Sequence, residues 1–406
     1  MQEILLINVF GKDKPGVTNA VVETLAPFGV SVLDIGQAVI HDQLNIGILV
    51  LVPFDKNFSI IKSSITTALK KFGMQWHHRQ ISPNRYEEWV EQQGKSRHII
   101  TLLARSIDAH HLAAITSVTL EQGLNIDKIV RLSGRVALDS QVEFPRACVE
   151  FSVRGIPNSN EEFHSSLLKL SGKNNIDIAF QEDNIFRLNR KLVVFDMDST
   201  LIDAEVIDEL AIEAGVGKEV AEITAAAMQG DIDFKQGFTE RVALLKGLDA
   251  QSLHTVADRL VLNEGAHYLV SSLKKLGYVT AIISGGFTFF GHHLQSILGV
   301  DYVYANELDI ADGKVTGDIK GEIIDGQRKA NILREIAHDQ GICLDQVIAV
   351  GDGANDLPML RIAGLGVAFR AKPRVRASAK QAISNVGLDG ILYLLGYSDK
   401  DISKLH

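Results

Sequence analysis

Two groups of carboxylates, each placed directly after an apolar run, are the residues of this 406-residue sequence best suited to chemistry. Asp196 and Asp198 follow the run LVVF, and the run QVIAV leads to Asp352, Asn355 and Asp356. If the two runs are neighbouring strands, at least three carboxylates converge, and their mutual repulsion requires a nearby cation. These side chains bind metals through oxygen, which selects a hard cation. We therefore predict a Mg²⁺ site here.

Two further features could bind a phosphate group. Ser284, Gly285 and Gly286 lie between a strand-like run and a helix, where a hydroxyl group and free backbone N–H groups favour an anion. Lys329 lies near the start of the helical pattern QRKANILREIAHD and would add a positive charge. A glycine-rich turn, a helix lysine and a single Asp-x-Asp each have an ordinary structural explanation. Only their combination indicates a phosphate site.

Short apolar runs alternate with helical patterns from residue 192 onward, which predicts an α/β domain with a doubly wound, Rossmann-like parallel sheet. In such sheets functional groups gather beyond the carboxyl ends of the strands, where both acidic groups would lie. The stretch after Asp203 is mostly helical and predicts a cap that excludes water from the site. We expect this domain at 190–406 and its helical cap at about 204–275.

The preceding part of the chain follows the order β-α-β-β-α, and this order recurs weakly at an offset of about 94 residues. The stretch FGKDKPGV in the first copy resembles the start of an ACT domain, a small module that often binds amino acids. The resemblance implies two α+β, ferredoxin-like ACT-type domains, at 1–83 and 96–182. The second copy is predicted to be degenerate, because Ala109 and His110 replace the Pro-Gly turn. By analogy we expect an amino-acid effector near Asp13 and Gly16, and a homodimer.

The motifs of the C-terminal part resemble the haloacid dehalogenase superfamily of phosphotransferases. D-x-D-S-T, S-G-G, a helix lysine and G-D-G-x-N-D occur in that order, and the resemblance covers residues 191 to about 390. Within the superfamily, FDMDSTLIDAE, RVALLKGL, SGGF and VGDGANDLPML resemble the phosphoserine phosphatase family. This implies Mg²⁺-dependent hydrolysis of O-phospho-L-serine to L-serine and phosphate through an aspartyl-phosphate intermediate, as the last step of serine biosynthesis.

The resemblance also implies residue roles. Asp196 would be the nucleophile, and Asp198 would protonate the leaving oxygen and then deprotonate the attacking water. Mg²⁺ would be bound by Asp196, by the main-chain carbonyl group of Asp198 and by Asp352. The phosphate-binding residues would be Ser284, Gly285, Lys329 and Asn355, and Asp356 would act from behind them. Arg241 would bind the substrate carboxylate and Glu205 its ammonium group, with Met228 and Phe234 lining the pocket.

Two of these side chains have competing explanations. Phe234, Phe238 and Arg241 share one apolar helix face, and an arginine on such a face more often extends outward to solvent. Glu205 could be an ordinary acidic residue at a helix N-terminus.

Composition restricts the partners. The net charge of −9 argues against a nucleic-acid or anionic-membrane surface. Cys148 and Cys343 form neither a disulfide framework nor a zinc-binding spacing, and the sequence has neither an export signal nor an apolar run that spans a membrane. We expect a reduced, cytoplasmic protein.

Two alternatives stay open at this point. One is a related phosphatase or phosphotransferase that acts on another small phosphate ester. The other is an amino-acid-sensing regulator with an inactive catalytic domain. Such a regulator would have lost the nucleophile, the general acid or the lysine, and all three are present.

Overall fold

The computed structural model describes residues 3–137, 139, 145–229 and 232–406, without the side chains of residues 228 and 229. The pocket-lining role implied for Met228 therefore lies outside the described residues. The chain divides into two compact units, Met1–Lys95 and Ser96–His406. Within the described ranges, none of the helices has the length and apolar character needed to cross a membrane.

The first unit is built on an antiparallel sheet. Its elements are β1 (Glu3–Lys12), α1 (Val17–Leu25), β2 (Ser31–Ile40), β3 (Gln43–Val52), α2 (Phe58–Lys70), β4 (Gln75–Ile81) and α3 (Pro83–Glu91). The strands lie in the order β2-β3-β1-β4. Alternate residues of β3, such as Ile46 and Ile48, are buried in one core with Val21 of α1 and Ile65 of α2, since successive strand side chains point to opposite faces.

The second unit begins with a similar antiparallel sheet. Its elements are β5 (Arg97–Ala104), α4 (Ala109–Glu121), β6 (Asn125–Arg131), β7 (Ala147–Arg154), α5 (Asn160–Asn174) and β8 (Asp177–Glu182), with the strand order β6-β7-β5-β8. Phe151 and Phe163 lie in the core between sheet and helices. Leu103, Cys148 and Ala179 instead belong to the core of the C-terminal domain, so the sheet is covered on both faces.

The C-terminal domain contains a seven-stranded sheet. The elements are β9 (Leu192–Phe195), α6 (Val206–Ala214), α7 (Gly217–Gln229), α8 (Phe234–Leu244), α9 (Gln251–Arg259), α10 (Ala266–Lys275), β10 (Val279–Phe287), α11 (Thr288–Leu298), β11 (Tyr302–Ala311), β12 (Lys314–Lys320), α12 (Gly326–Asp339), β13 (Val347–Gly351), α13 (Leu357–Ile362), β14 (Leu365–Phe369), α14 (Pro373–Ser378), β15 (Gln381–Ile383), α15 (Ile391–Leu394) and α16 (Asp399–Ile402). The strand order is β12-β11-β10-β9-β13-β14-β15, and β12 alone among these strands pairs in the antiparallel sense.

Strand β9 lies at the centre of this sheet. All four of its residues are completely buried, which explains why the run LVVF is apolar throughout rather than alternating. Helices α6 to α9 follow β9 and lie in the stretch predicted as the cap. The architecture confirms the predicted fold class: a Rossmann-like parallel sheet with inserted helices, preceded by two ferredoxin-like domains.

Candidate active site

The two acidic groups meet at the carboxyl ends of β9 and β13. The strands are parallel neighbours with Phe195 paired to Val350, so Asp196 and Asp352 leave the same sheet edge. The Asp196 N–H donates to the Val350 carbonyl oxygen at 2.8 Å, which continues the ladder to the aspartate itself. One carboxylate oxygen each of Asp196, Asp352 and Asp356 lies within 4.8 Å of the others. The convergence predicted from the sequence is therefore present.

Lys329 supplies the positive charge of this cluster. It is completely buried on α12, and its Nζ lies 2.9 Å from Asp196 Oδ1 and 2.7 Å from Asp356 Oδ1. Burial alone would lower the pKa of Lys329, but the two carboxylates outweigh burial and raise this pKa. The lysine is thus an internal cation between two aspartates, in contrast to the usual solvated helix lysine.

The carboxylates of Asp196, Asp352 and Asp356 together carry more negative charge than the single positive charge of Lys329 can balance. Burial, followed by the charge of Asp356, raises the pKa of Asp196 well above its usual range and that of Asp352 to about 7. Asp356 has both oxygens engaged, because Oδ2 accepts the N–H groups of Asp352 (3.1 Å) and Gly353 (2.9 Å). A divalent cation fits the donor set, since it would replace protons on an all-oxygen site. Asp196 and Asp352 are the carboxylates left to bind it.

The structure places Ser284, Gly285 and Gly286 within the last residues of β10, which runs directly into α11, rather than between the strand and the helix as predicted. Asp198 lies against this end of β10. Its Oδ1 accepts the Val206 N–H at 3.2 Å. A Cβ atom at Gly286 would lie 2.5 Å from Asp198 Oδ2, so β10 can approach Asp198 this closely only because residue 286 is glycine. The Gly286 N–H donates to Ser284 Oγ at 2.9 Å. The buried Asn306 fixes the Gly285 peptide by donating to its carbonyl oxygen at 2.8 Å.

The turn formed by residues 196–202, which we name the catalytic turn, is held by residues that the sequence patterns did not indicate. Ser199 adopts the left-handed conformation (φ 54°), and the Leu201 N–H donates to the Met197 carbonyl oxygen at 2.9 Å. Asn263 Nδ2 donates to the carbonyl oxygens of Thr200 (2.9 Å) and Ile202 (3.1 Å). The catalytic turn is therefore fixed both by its own backbone and by a side chain from outside it.

A cavity of about 960 Å³ opens at this edge of the sheet. Most of the predicted site residues line it: Asp196, Asp198, Glu205, Arg241, Gly285, Asp352 and Asn355. Ser284 and Lys329 are completely buried and do not line it. Asp208, Lys372 and Arg374 line the cavity but were not predicted. Lys372 and Arg374 follow β14, so the rule that functional groups gather beyond strand ends could have identified them.

Arg241 and Glu205 place opposite charges in the same cavity. Arg241 does not extend away to solvent: its Nε donates to the Gly237 carbonyl oxygen at 3.2 Å, and its guanidinium lies 6.0 Å from the centre of the Phe238 ring. Glu205 Oε1 accepts a hydrogen bond from the Ser199 hydroxyl at 2.7 Å, and burial raises the pKa of the Glu205 carboxyl group. The cavity can therefore contact both an anionic and a cationic group of one small ligand.

Comparisons with known proteins agree with this geometry. Residues 193–361 match the haloacid dehalogenase-like hydrolase family, and residues 3–78 and 96–181 each match an ACT domain family. The phosphoserine phosphatase of Streptomyces coelicolor is 40% identical over 399 residues, which cover 98% of this chain and 93% of that protein. Phosphoserine phosphatase SerB2 of Mycobacterium tuberculosis is 37% identical, with coverage of 98% and 94%.

Two solved structures are similar as well. A haloacid dehalogenase family hydrolase from Salmonella enterica serovar Typhi has a TM-score of 0.62 at 32% identity, over 73% of this chain and 98% of that one. A probable phosphoserine phosphatase from Vibrio cholerae has a TM-score of 0.58 at 31% identity, over 78% and 90%. With full-length relatives at this level of identity, the chain belongs to the phosphoserine phosphatase family of haloacid dehalogenase-like hydrolases.

Proposed function

We propose that this chain catalyses the Mg²⁺-dependent hydrolysis of O-phospho-L-serine to L-serine and phosphate, as the last step of serine biosynthesis. The observation that carries this proposal is a single cavity lined by the acidic cluster together with Arg241 and Glu205, whose charges complement an amino-acid head group. We place the enzyme in the cytoplasm, and the free thiols of Cys148 and Cys343 agree with a reducing compartment.

The first chemical step forms a bond between an Asp196 oxygen and phosphorus and breaks the bond between phosphorus and the serine oxygen. Oδ1 of Asp196 accepts hydrogen bonds from Lys329 (2.9 Å) and from the Met197 N–H (2.7 Å), which fixes the carboxylate for attack through Oδ2. Asp198 gives its proton to the departing serine oxygen. Burial, followed by the charge of Glu205, raises the pKa of Asp198 well above its usual range, which is the direction that a general acid requires.

The second step releases phosphate. A water molecule attacks phosphorus, the bond between phosphorus and Asp196 breaks, and the now ionised Asp198 takes the proton of the water. Asp198 therefore acts first as acid and then as base, and both residues return to their starting states.

The phosphoryl oxygens require positive charge and hydrogen-bond donors in both steps. We assign this task to the Gly285 N–H and Asn355, which line the cavity, together with Ser284 and Lys329, which are buried behind it. Mg²⁺ bound by Asp196, Asp352 and the main-chain carbonyl group of Asp198 would supply further positive charge to the same oxygens. Lys329 acts from behind the nucleophile, since it contacts Asp196 directly without lining the cavity.

A panel of phosphate esters tests the reaction and its substrate. With Mg²⁺ present, phosphoserine should be hydrolysed with the highest kcat/KM, and EDTA should abolish the activity. Arg241→Met should raise KM for phosphoserine about 10- to 100-fold, because the substrate carboxylate loses a charged hydrogen-bond partner. KM for phosphoethanolamine, which has no carboxylate, should change less than about twofold.

Arg259→Met is the matched control for this prediction. Arg259 lies on α9 and pairs with Glu209 and Glu213 outside the described lining of the cavity. It should leave both KM values unchanged. An equal increase in KM for both esters in Arg241→Met would contradict carboxylate recognition. Equal activity of the wild type across the panel would favour another small phosphate ester as the natural substrate.

We further propose that the first ACT domain binds an amino acid near Asp13 and Gly16 and that the chain forms a homodimer. Gly16 has a φ of 91° and precedes α1, as the predicted turn requires. Strand β2 is an edge of its sheet, and Val32, Ile35 and Val39 on it are about half exposed. These features support pairing of two copies along β2.

Light scattering with and without L-serine tests both parts of this proposal. The wild type should have twice the chain mass of 44.4 kDa, and Ile35→Lys should be monomeric. Ile60→Lys is the control, since Ile60 is an exposed residue of α2 in the same domain. L-Serine should raise the Tm of the wild type but not of Asp13→Ala. A monomeric wild type would refute the dimer, and a Tm insensitive to L-serine would refute this effector.

A further inference from the structure

Arg105, in the loop that follows β5 of the second ACT domain, contacts the phosphatase domain. The guanidinium of Arg105 donates two hydrogen bonds to Glu264, from Nη1 to Oε1 and from Nη2 to Oε2, each of 2.6 Å. Such a bidentate pair fixes the orientation of both side chains. Glu264, whose side chain is 17% exposed, lies two residues before the start of α10.

The internal repeat relates Arg105 to a residue of the first ACT domain. Gly29 and Gly123 occupy equivalent places in the two copies, and both have positive φ angles (61° and 69°). With the same spacing, Arg105 corresponds to Gly11 near the end of β1, just before the loop for which the first domain's effector site is proposed. A Cβ atom at Gly11 would lie 2.9 Å from Met74 Sδ, so a side chain there would require Met74 to move. In the second copy the equivalent residue instead reaches the phosphatase domain.

From Glu264 a chain of hydrogen-bonded side chains continues toward the catalytic turn. Glu264 Oε2 accepts Arg370 Nη2 at 3.0 Å, and Arg370 Nη1 donates to Asn263 Oδ1 at 3.1 Å. This bond orients the Asn263 amide, whose Nδ2 donates to the carbonyl oxygens of Thr200 and Ile202. Arg105, Glu264, Arg370 and Asn263 together form a connection that we name the relay.

Two members of the relay, Asn263 and Arg370, lie beside segments that carry site residues. Asn263 is only 4% exposed, so the carbonyl groups it satisfies would otherwise lack a partner in a buried turn. That turn carries Asp196 and Asp198. Arg370 has a φ of 45°, a costly conformation for a residue other than glycine, and begins the segment that brings Lys372 to the cavity. The relay therefore restrains two walls of the site.

Docking of the second ACT domain does not depend on Arg105. The buried Asp177 accepts the N–H groups of Ser384 and Asn385, each at 2.8 Å. Leu103 and Cys148 of the same sheet are buried in the core of the phosphatase domain. Because these contacts already hold the two domains together, docking does not require the ion pair of Arg105.

We propose that Arg105 is a positioning residue for the phosphatase reaction, acting through Glu264, Arg370 and Asn263 on the catalytic turn. This inference rests on the proposed phosphatase activity. It assigns the second ACT domain a direct part in the geometry of the active site, with no ligand required in that domain.

Kinetics of Arg105→Met test the proposal in the full-length enzyme. We expect kcat for phosphoserine to fall about three- to tenfold, with KM within about twofold of the wild type, because the catalytic turn is affected more than the head-group contacts. Arg154→Met is the matched control. Arg154 pairs with Asp127 at 3.0 Å inside the second ACT domain, and its loss should leave kcat unchanged. An unchanged kcat in Arg105→Met, or equal losses in both variants, would overturn the proposal.

A double-mutant cycle separates the relay from a general loss of stability. Arg370→Met interrupts the relay closer to the turn, so adding Arg105→Met should reduce kcat no further. Multiplicative losses would show that Arg105 acts independently. Arg105→Lys keeps the positive charge but has a single ammonium group, so it should recover only part of the lost kcat. If Arg105→Met does not fold, Arg105→Lys takes its place in the measurement. An inactive wild type would refute the phosphatase reaction as well, whereas an active wild type insensitive to Arg105 refutes the relay alone.

Discussion

Asp196→Asn should lower kcat for phosphoserine by at least about 10⁴-fold, because the amide cannot form the aspartyl-phosphate intermediate. Asp198 is assigned to proton transfer rather than to attack on phosphorus, and its Oδ1 already accepts the Val206 N–H. Rapid-quench mass spectrometry should detect one phosphoryl group on the wild type during turnover and none on the variant. Residual phosphorylation of the variant would contradict the assignment of the nucleophile.

The same variant separates chemistry from folding. Without metal, Asp196→Asn should have a Tm at least equal to that of the wild type, because one of several repelling carboxylates becomes neutral. Burial, followed by the charge of Asp356, raises the pKa of Asp352 from 3.8 to about 7. Between these values the folded state binds more protons than the unfolded state, so the metal-free wild type loses stability as pH rises through this window.

The gain in Tm of Asp196→Asn should therefore be larger at about pH 8 than at about pH 5. Addition of Mg²⁺ should reverse the order and favour the wild type, which retains the metal-binding carboxylate. If the metal-free variant melts below the wild type at both pH values, Asp196 stabilises the folded state rather than destabilising it.

Lys329→Met should reduce both activity and stability. Removal of one partner from a buried ion pair typically costs about 3–5 kcal/mol of unfolding free energy, and here two aspartates lose their shared cation. We also expect kcat to fall about 10²- to 10³-fold, because the fixed positive charge beside the nucleophile is lost. Urea unfolding and steady-state kinetics measure the two effects.

Asp356→Asn in the Lys329→Met background distinguishes the two effects. Asp356 is completely buried, and its neutralisation removes one of the carboxylates that Lys329 had balanced. The double variant should regain much of the lost stability while its kcat stays low. Recovery of kcat together with stability would mean that Lys329 acts only as a structural counter-charge.

The sequence was most informative where residue type and strand position together decide the structure. An apolar run ending in aspartates predicted the central strand β9 and the acidic cluster at its end. The sequence could not predict the position of the Lys329 side chain, because whether a helix lysine faces solvent or the sheet depends on how α12 packs against the sheet. The same limitation applies to Asn263, whose partners Thr200 and Ile202 lie about 60 residues away.

Several strands were missed for a different reason. The sequence QWHHRQI of β4 has none of the apolar alternation on which strand prediction depends. Strand β8, DIAFQE, is short and leads directly into the polar stretch before β9. Both strands are formed by pairing with the central strand of their own sheet, β1 or β5, and such a partner is not encoded in the local sequence.

Two exposed sheet edges would normally favour aggregation, and the second unit avoids this by placing them against each other. Strand β8 is an edge of the second ACT sheet, and β15 is an edge of the seven-stranded sheet. The side-chain amide of Gln381 on β15 accepts the Phe180 N–H of β8 at 2.9 Å and donates to the Phe180 carbonyl oxygen. One glutamine thus imitates a peptide group of a neighbouring strand. This contact covers part of both edges, so the fusion of the two domains also limits the pairing of these strands with another molecule.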